Sequence, residues 1–97
     1  MEYYSIDDIK RINENKGKFF FSPVAMRVFK SRVGNSVYQG TGGVYFITSE
    51  QFDRISPRQY TVRQFDPKTG SIHTAGEFNR LSRYTAHAAA KLLAKGE

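Results

Sequence analysis

The chain contains no cysteine, which removes disulfides, zinc–thiolate centres and thiol nucleophiles from consideration. Histidine is nearly as scarce. His73 and His87 fall in different predicted elements, without H-x-x-x-H spacing or a neighbouring carboxylate cluster, so no metal is expected. There is no apolar run near the ~18–20 residues of a membrane span, and no membrane contact is expected. The amino terminus carries Glu2, Asp7 and Asp8 in place of the apolar core of a signal peptide, so the expected location is cytoplasmic. No G-x-S-x-G elbow occurs, and Gly40-Thr41-Gly42-Gly43 lacks a following Gly-Lys-Ser/Thr, which makes it a turn between strands and not a phosphate loop. Acids are too few to suggest a catalytic pair, and Asp7-Asp8 is explained by helix capping. These absences together predict a protein that is not an enzyme and takes no cofactor.

Acidic residues are also missing in blocks. None lies between Glu14 and Glu50, where Lys16, Lys18, Arg27, Lys30 and Arg32 fall, and none between Glu77 and Glu97, where Arg80, Arg83, Lys91 and Lys95 fall. The formal net charge is +6 in 97 residues. Two acid-free stretches in a chain of one-domain length predict a positive exterior that attracts polyanions.

Three helices and four strands are legible. Ser5-Ile6-Asp7-Asp8 has the form of a capping box and starts a helix over about residues 6–14, with Asn15-Lys16-Gly17 as its stop. Ser22-Pro23 starts a second helix, which Gly34 is placed to end. Ala25, Met26, Phe29 and Val33 would form its apolar face, with Arg32 the one cation inside that arc, held by Glu50, Asp66 or Glu77 or snorkelling to water. Strands follow at 36–40 and 44–51 around Thr41-Gly42-Gly43, then at 59–65 and 71–75 around Asp66-Pro67-Lys68-Thr69-Gly70. Val44-Tyr45-Phe46-Ile47-Thr48 is apolar on both faces and should lie inside the sheet. A last helix runs from Asn79 or Ser82 to about Ala94, with Leu81, Thr85, Ala88 and Leu92 inward and Arg83, His87, Lys91 and Lys95 in an outward row. The order ααββββα predicts an α+β fold: a mostly antiparallel four-stranded sheet with helices packed on one face. Residues 1–97 form one domain, in which 1–18 is a helical extension and 19–95 the core unit.

Two sets of candidate residues emerge. Arg27, Lys30, Arg83, His87 and Lys91 are suited to bind phosphates, with tyrosines nearby for base stacking. Arg32, Glu50, Arg63, His73 and Glu77 would form either an internal ion-pair network or a small-ligand site, in which Arg63 clamps a phosphate and His73 acts as base.

The ordered series Phe20-Phe21-Ser22-Pro23, Met26-Arg27, Phe29, Ser31-Arg32, Tyr45-Phe46-Ile47-Thr48-Ser49-Glu50, Tyr60-Thr61-Val62-Arg63 and Gly76-Glu77-Phe78 resembles a family of small uncharacterised proteins encoded by bacteriophages. The likeness covers about residues 20–93 and leaves Met1–Lys18 outside as an addition. The resemblance implies an accessory protein acting inside an infected bacterium, and by analogy of size and origin an inhibitor of a host machine such as a CRISPR or other defence complex. It carries no catalytic residue. The expected partner is nucleic acid or a host nucleoprotein. The alternatives are a protein with an acidic patch, self-association, and a small nucleotide.

Overall fold

A computed structural model of the protein describes residues 3–28, 31–51, 53–77 and 79–96. Three helices and four strands follow in the order α1 (Ile6–Asn15), α2 (Pro23–Val28), β1 (Arg32–Gly40), β2 (Gly43–Glu50), β3 (Gln59–Asp66), β4 (Ser71–Thr74) and α3 (Arg83–Lys95). The strands form one antiparallel sheet in sequential order, β1-β2-β3-β4. The class is α+β, as the order of elements predicts. Among the described residues no helix is long and apolar enough to cross a membrane.

The sheet is covered on both faces, where the sequence predicted helices on one. Successive β2 side chains point to opposite sides. Val44 and Phe46, with Phe65 of β3, pack against Ile9 of α1 and against Phe20 and Phe21. Tyr45 and Ile47, with Val62 of β3, pack against Ala86, Ala89, Ala90 and Ala94 of α3. Five consecutive buried residues, Val44 to Thr48, are the mark of a strand with two covered faces. α1 is therefore part of the core and not an extension to it, since Ile9 is fully buried.

α1 begins with a complete capping box. The Asp8 amide donates to Ser5 Oγ at 3.2 Å, and the Ser5 amide donates to Asp8 Oδ2 at 3.0 Å. The Ser5 backbone amide, then its hydroxyl, hold the Asp8 carboxyl below its ordinary value, and Arg11 at 3.0 Å adds to this. The far end is fixed by Asn13, a residue with no sequence signal of its own. Its Nδ2 donates to the Gly70 carbonyl at 2.7 Å, and its Oδ1 accepts from the Phe20 amide at 2.8 Å. One buried side chain thus ties α1 to the β3–β4 turn and to the reversal where Phe19 takes a φ of 51°. Gly70 allows this contact, because its φ of 72° and its closeness to Lys16 and the Ile12 carbonyl exclude a larger residue.

The second helix is shorter than expected. It ends at Val28, and Arg32, Val33 and Gly34 belong to β1, where Arg32 pairs with Ser49 and Val33 with Thr48. Sheet pairing overrides a helical pattern here that contains three β-branched valines and runs into Gly34-Asn35-Ser36, all weak helix formers. The register shifts between Val33 and Val37, so these three residues form an irregular edge. Phe29 and Lys30 lie outside the described residues, as does Phe78.

α3 starts at the N-cap Ser82 and buries Ala86, Ala89, Ala90 and Ala94, not the predicted Thr85, Ala88 and Leu92. Leu92 is more than half exposed. The small residues face inward because the helix lies very close to the β1–β2 turn. A Cβ on Gly42 would collide with the Leu93 carbonyl, and the Gly42 amide donates to the Ala94 carbonyl at 3.0 Å. Thr41 Oγ1 donates to the Lys95 carbonyl at 3.0 Å, so the hairpin satisfies the otherwise orphaned end of the helix.

Two outcomes test this account. Asn13→Ala strands a buried carbonyl and a partly buried amide and should cost about 2–3 kcal/mol, a fall in Tm of roughly 10–20 °C for a domain of this size, read by thermal unfolding. The Asp8 shift is downward, so its contribution is present above the ordinary carboxylate pKa and is lost as pH falls through the lowered folded value. Amide protection in the first turn of α1, taken relative to the intrinsic exchange rate at each pH, should therefore fall on acidification while the sheet stays protected.

Candidate functional site

The sequence-predicted ion-pair set separates into one closed network and three residues apart from it. Glu50 on β2 and Arg63 on β3 lie on the α1 side of the sheet, where Arg63 Nη2 donates to Glu50 Oε1 at 3.2 Å. Arg63 also donates through Nε to Thr48 Oγ1 at 3.0 Å and through Nη1 to Thr74 Oγ1 at 2.7 Å. Thr48 and Thr61 hydroxyls donate to the two Glu50 oxygens at 2.7 and 3.1 Å. The guanidinium lies 5.7 Å from the centre of the Phe20 ring. All three guanidinium nitrogens and both carboxylate oxygens are engaged within the protein, which makes this a structural network across three strands.

Arg32 does not join it, being exposed on the outermost strand next to Ser49. His73 pairs with Gln64, one register step from Arg63, so it points to the opposite side of the sheet and cannot serve as base to an Arg63 clamp. Glu77 is exposed in the turn before α3. Among the described residues, no three histidines or carboxylates gather where they could hold a metal ion.

Of the cations expected to bind phosphate, Arg83, His87 and Lys91 lie together on α3. α3 crosses the sheet on its alanine face, so Arg83, His87, Lys91 and Lys95 run along the flank that overlooks β1. A cleft lies between this flank and the strand. One end is a cavity of about 380 Å³ where Arg83 and His87 face Gly34, Asn35, Ser36, Ser49 and Tyr60. The other is a cavity of about 350 Å³ where Lys91 and Lys95 face Tyr3, Val37, Tyr38 and Gln39. The divider between them is Tyr38, whose hydroxyl lies 2.8 Å from His87 Nδ1, with the rings edge to face. His87 is thus half-buried and held, where an outward row predicts a free imidazole.

A third hollow of about 460 Å³ continues past the start of β1, bordered by Arg27, Arg32 and Arg58 with Ser31 and Gln51. Arg58 joins it to the first cavity, since Nη1 donates to the Ser49 carbonyl at 3.2 Å and to Ser49 Oγ at 3.0 Å. Arg27 is exposed on α2 and donates through Nε to the Pro23 carbonyl at 3.3 Å. Lys30 lies outside the described residues. No acid lines any of the three hollows among the described residues, so the cations there reinforce one another's field. Arg58 carried no sequence signal, and Tyr38 was one of six tyrosines open to base stacking, with nothing to link it to His87. Arg58 sits in an aperiodic connection after Pro57, and the role of Tyr38 depends on which helix flank meets β1.

The network predicts a specific pattern of stability. Arg63→Met leaves a mostly buried carboxylate without its cation and should destabilise by about 2–4 kcal/mol. Adding Glu50→Gln removes the stranded charge and should recover a good part of that loss, as measured by urea unfolding of the single and double variants.

Comparison with curated proteins and with solved structures finds no match. A family of unknown function, DUF7447, matches residues 5–93. That span begins at the N-cap of α1, which corrects the expectation that residues 1–18 stand apart, and it ends within the last turn of α3. It takes in every described strand, the Arg63–Glu50 network and the cleft lining except Tyr3, Ala94 and Lys95, and the chain belongs to the DUF7447 family.

Proposed function

We propose that this is a non-catalytic binding protein that holds nucleic acid along the cleft between β1 and α3. One observation carries the reading: cations from three separated segments, Arg27 and Arg32, Arg58, and Arg83 with Lys91 and Lys95, border three hollows along β1 whose described lining contains no carboxylate. Phosphates are the ligands best matched to such a lining, through charge and through guanidinium hydrogen bonds. Catalysis is disfavoured because His87 is committed to Tyr38 and His73 lies across the sheet from Arg63. The resemblance of the motif series to bacteriophage proteins supports a cytoplasmic accessory role in an infected bacterium. In that setting the nucleic acid could be presented by a host nucleoprotein, a defence complex such as a CRISPR effector included. A positive cleft does not imitate DNA; it would compete for it.

A binding titration with labelled nucleic acid at several salt concentrations tests the proposal. Affinity should fall steeply with salt, with a logarithmic slope of about −2 to −4 for three to five phosphate contacts. Arg83→Glu with Lys91→Glu should lower affinity on the order of tenfold or more, while Tm changes little because both side chains are exposed. Absence of binding at low salt would sink the proposal.

A further inference from the structure

We infer that the cleft is built for a single strand and not for a duplex, an inference that rests on the nucleic-acid reading above. Tyr84 is 84% exposed although it sits on a helix that packs against the core. At the helical period it aligns with Lys91 and Lys95, seven and eleven residues on, so its ring stands on the outward line of those two lysines, beside the cavity that Arg83 and His87 border. At the far end of the cleft Tyr3, 70% exposed, lies with Lys91 and Lys95 around the second cavity. Between them Tyr38 and Tyr60 present half-buried rings in the two cavities.

A duplex shows phosphates to such a surface but keeps the faces of its bases stacked inside. A single strand offers both, and exposed aromatic rings beside cations take up base faces irrespective of sequence. The distance from Arg83 to Lys95 along α3 is about 18 Å at 1.5 Å per residue, room for a few extended nucleotides. Cavities of about 380 and 350 Å³ fall in the range of pockets for small molecules. Each can receive a base, and neither can receive the width of a double helix. Tyr84 and Tyr3 therefore act as stacking platforms at the two ends of a phosphate track.

The test compares three polyanions at one salt concentration: labelled oligo-dT, a DNA duplex of the same length, and polyphosphate. The expected result is tightest binding to oligo-dT, accompanied by quenching of intrinsic fluorescence, which in this tryptophan-free chain comes from its six tyrosines. Tyr84→Ala should weaken oligo-dT binding about ten- to hundredfold and leave duplex and polyphosphate binding unchanged, while Tyr84→Phe keeps the single-strand affinity. Equal affinity for duplex and single strand, or a Tyr84→Ala loss shared by all three ligands, would overturn the inference and leave the polyanion cleft standing. If none of the three binds, the inference and the reading beneath it fall together.

Discussion

The architecture depends on the burial of β2 from both sides. A strand whose alternate residues are all apolar has no face to turn to water, so the chain must supply a cover for each. α1, with the phenylalanines after it, closes over Val44, Phe46 and Phe65, and α3 closes over Tyr45, Ile47 and Val62. The two covers differ in kind. The α1 side is filled by large rings and branched chains, and it ends in a polar patch where Glu50 and Arg63 settle among threonines. The α3 side is filled by alanines pressed onto the sheet.

That second choice shapes the surface. Alanine brings the helix axis close, and the bulky members of α3 are then displaced to its flanks and outer side. Lysines, Tyr84 and Leu92 all stand outside, and the cationic flank is left looking across a narrow space at β1. β1 contributes an edge interrupted by Gly34, Asn35 and Ser36, which widens that space at the Arg83 end. The proposed binding cleft is thus a by-product of how tightly the core is packed beneath it.

Much of this was legible in the sequence, for reasons of local chemistry. Ser5 with Asp8, Ser22-Pro23, the glycine turns and the apolar block at Val44–Thr48 each specify an element through interactions a few residues long. What was not legible depends on partners distant in sequence. Residues 32–34 read as helix because the pairing with Thr48 and Ser49 that holds them in β1 has no local signature. The inward face of α3 was misassigned because hydrophobic size favours leucine, whereas close approach to Gly42 favours alanine. Arg32 was read as reaching water or one of Glu50, Asp66 and Glu77; it is exposed, and the sheet register gives Glu50 to Arg63. Asn13, Arg58 and Tyr38 matter through contacts to other elements, with Gly70 and Phe20, with Ser49, and with His87, which are invisible until the strands are in register.

The bond from Thr41 to the Lys95 carbonyl joins groups 54 residues apart. During synthesis the hairpin emerges long before the helix it will cap, and for that interval β1 and β2 lack their second cover. The cleft has one wall from β1 and the other from α3, so it comes into existence only once both are in place. A topology weighted toward such distant closures folds more slowly than one built from neighbours. The nascent sheet, with Tyr45 and Ile47 still bare, is the stage at which this protein is most exposed to aggregation.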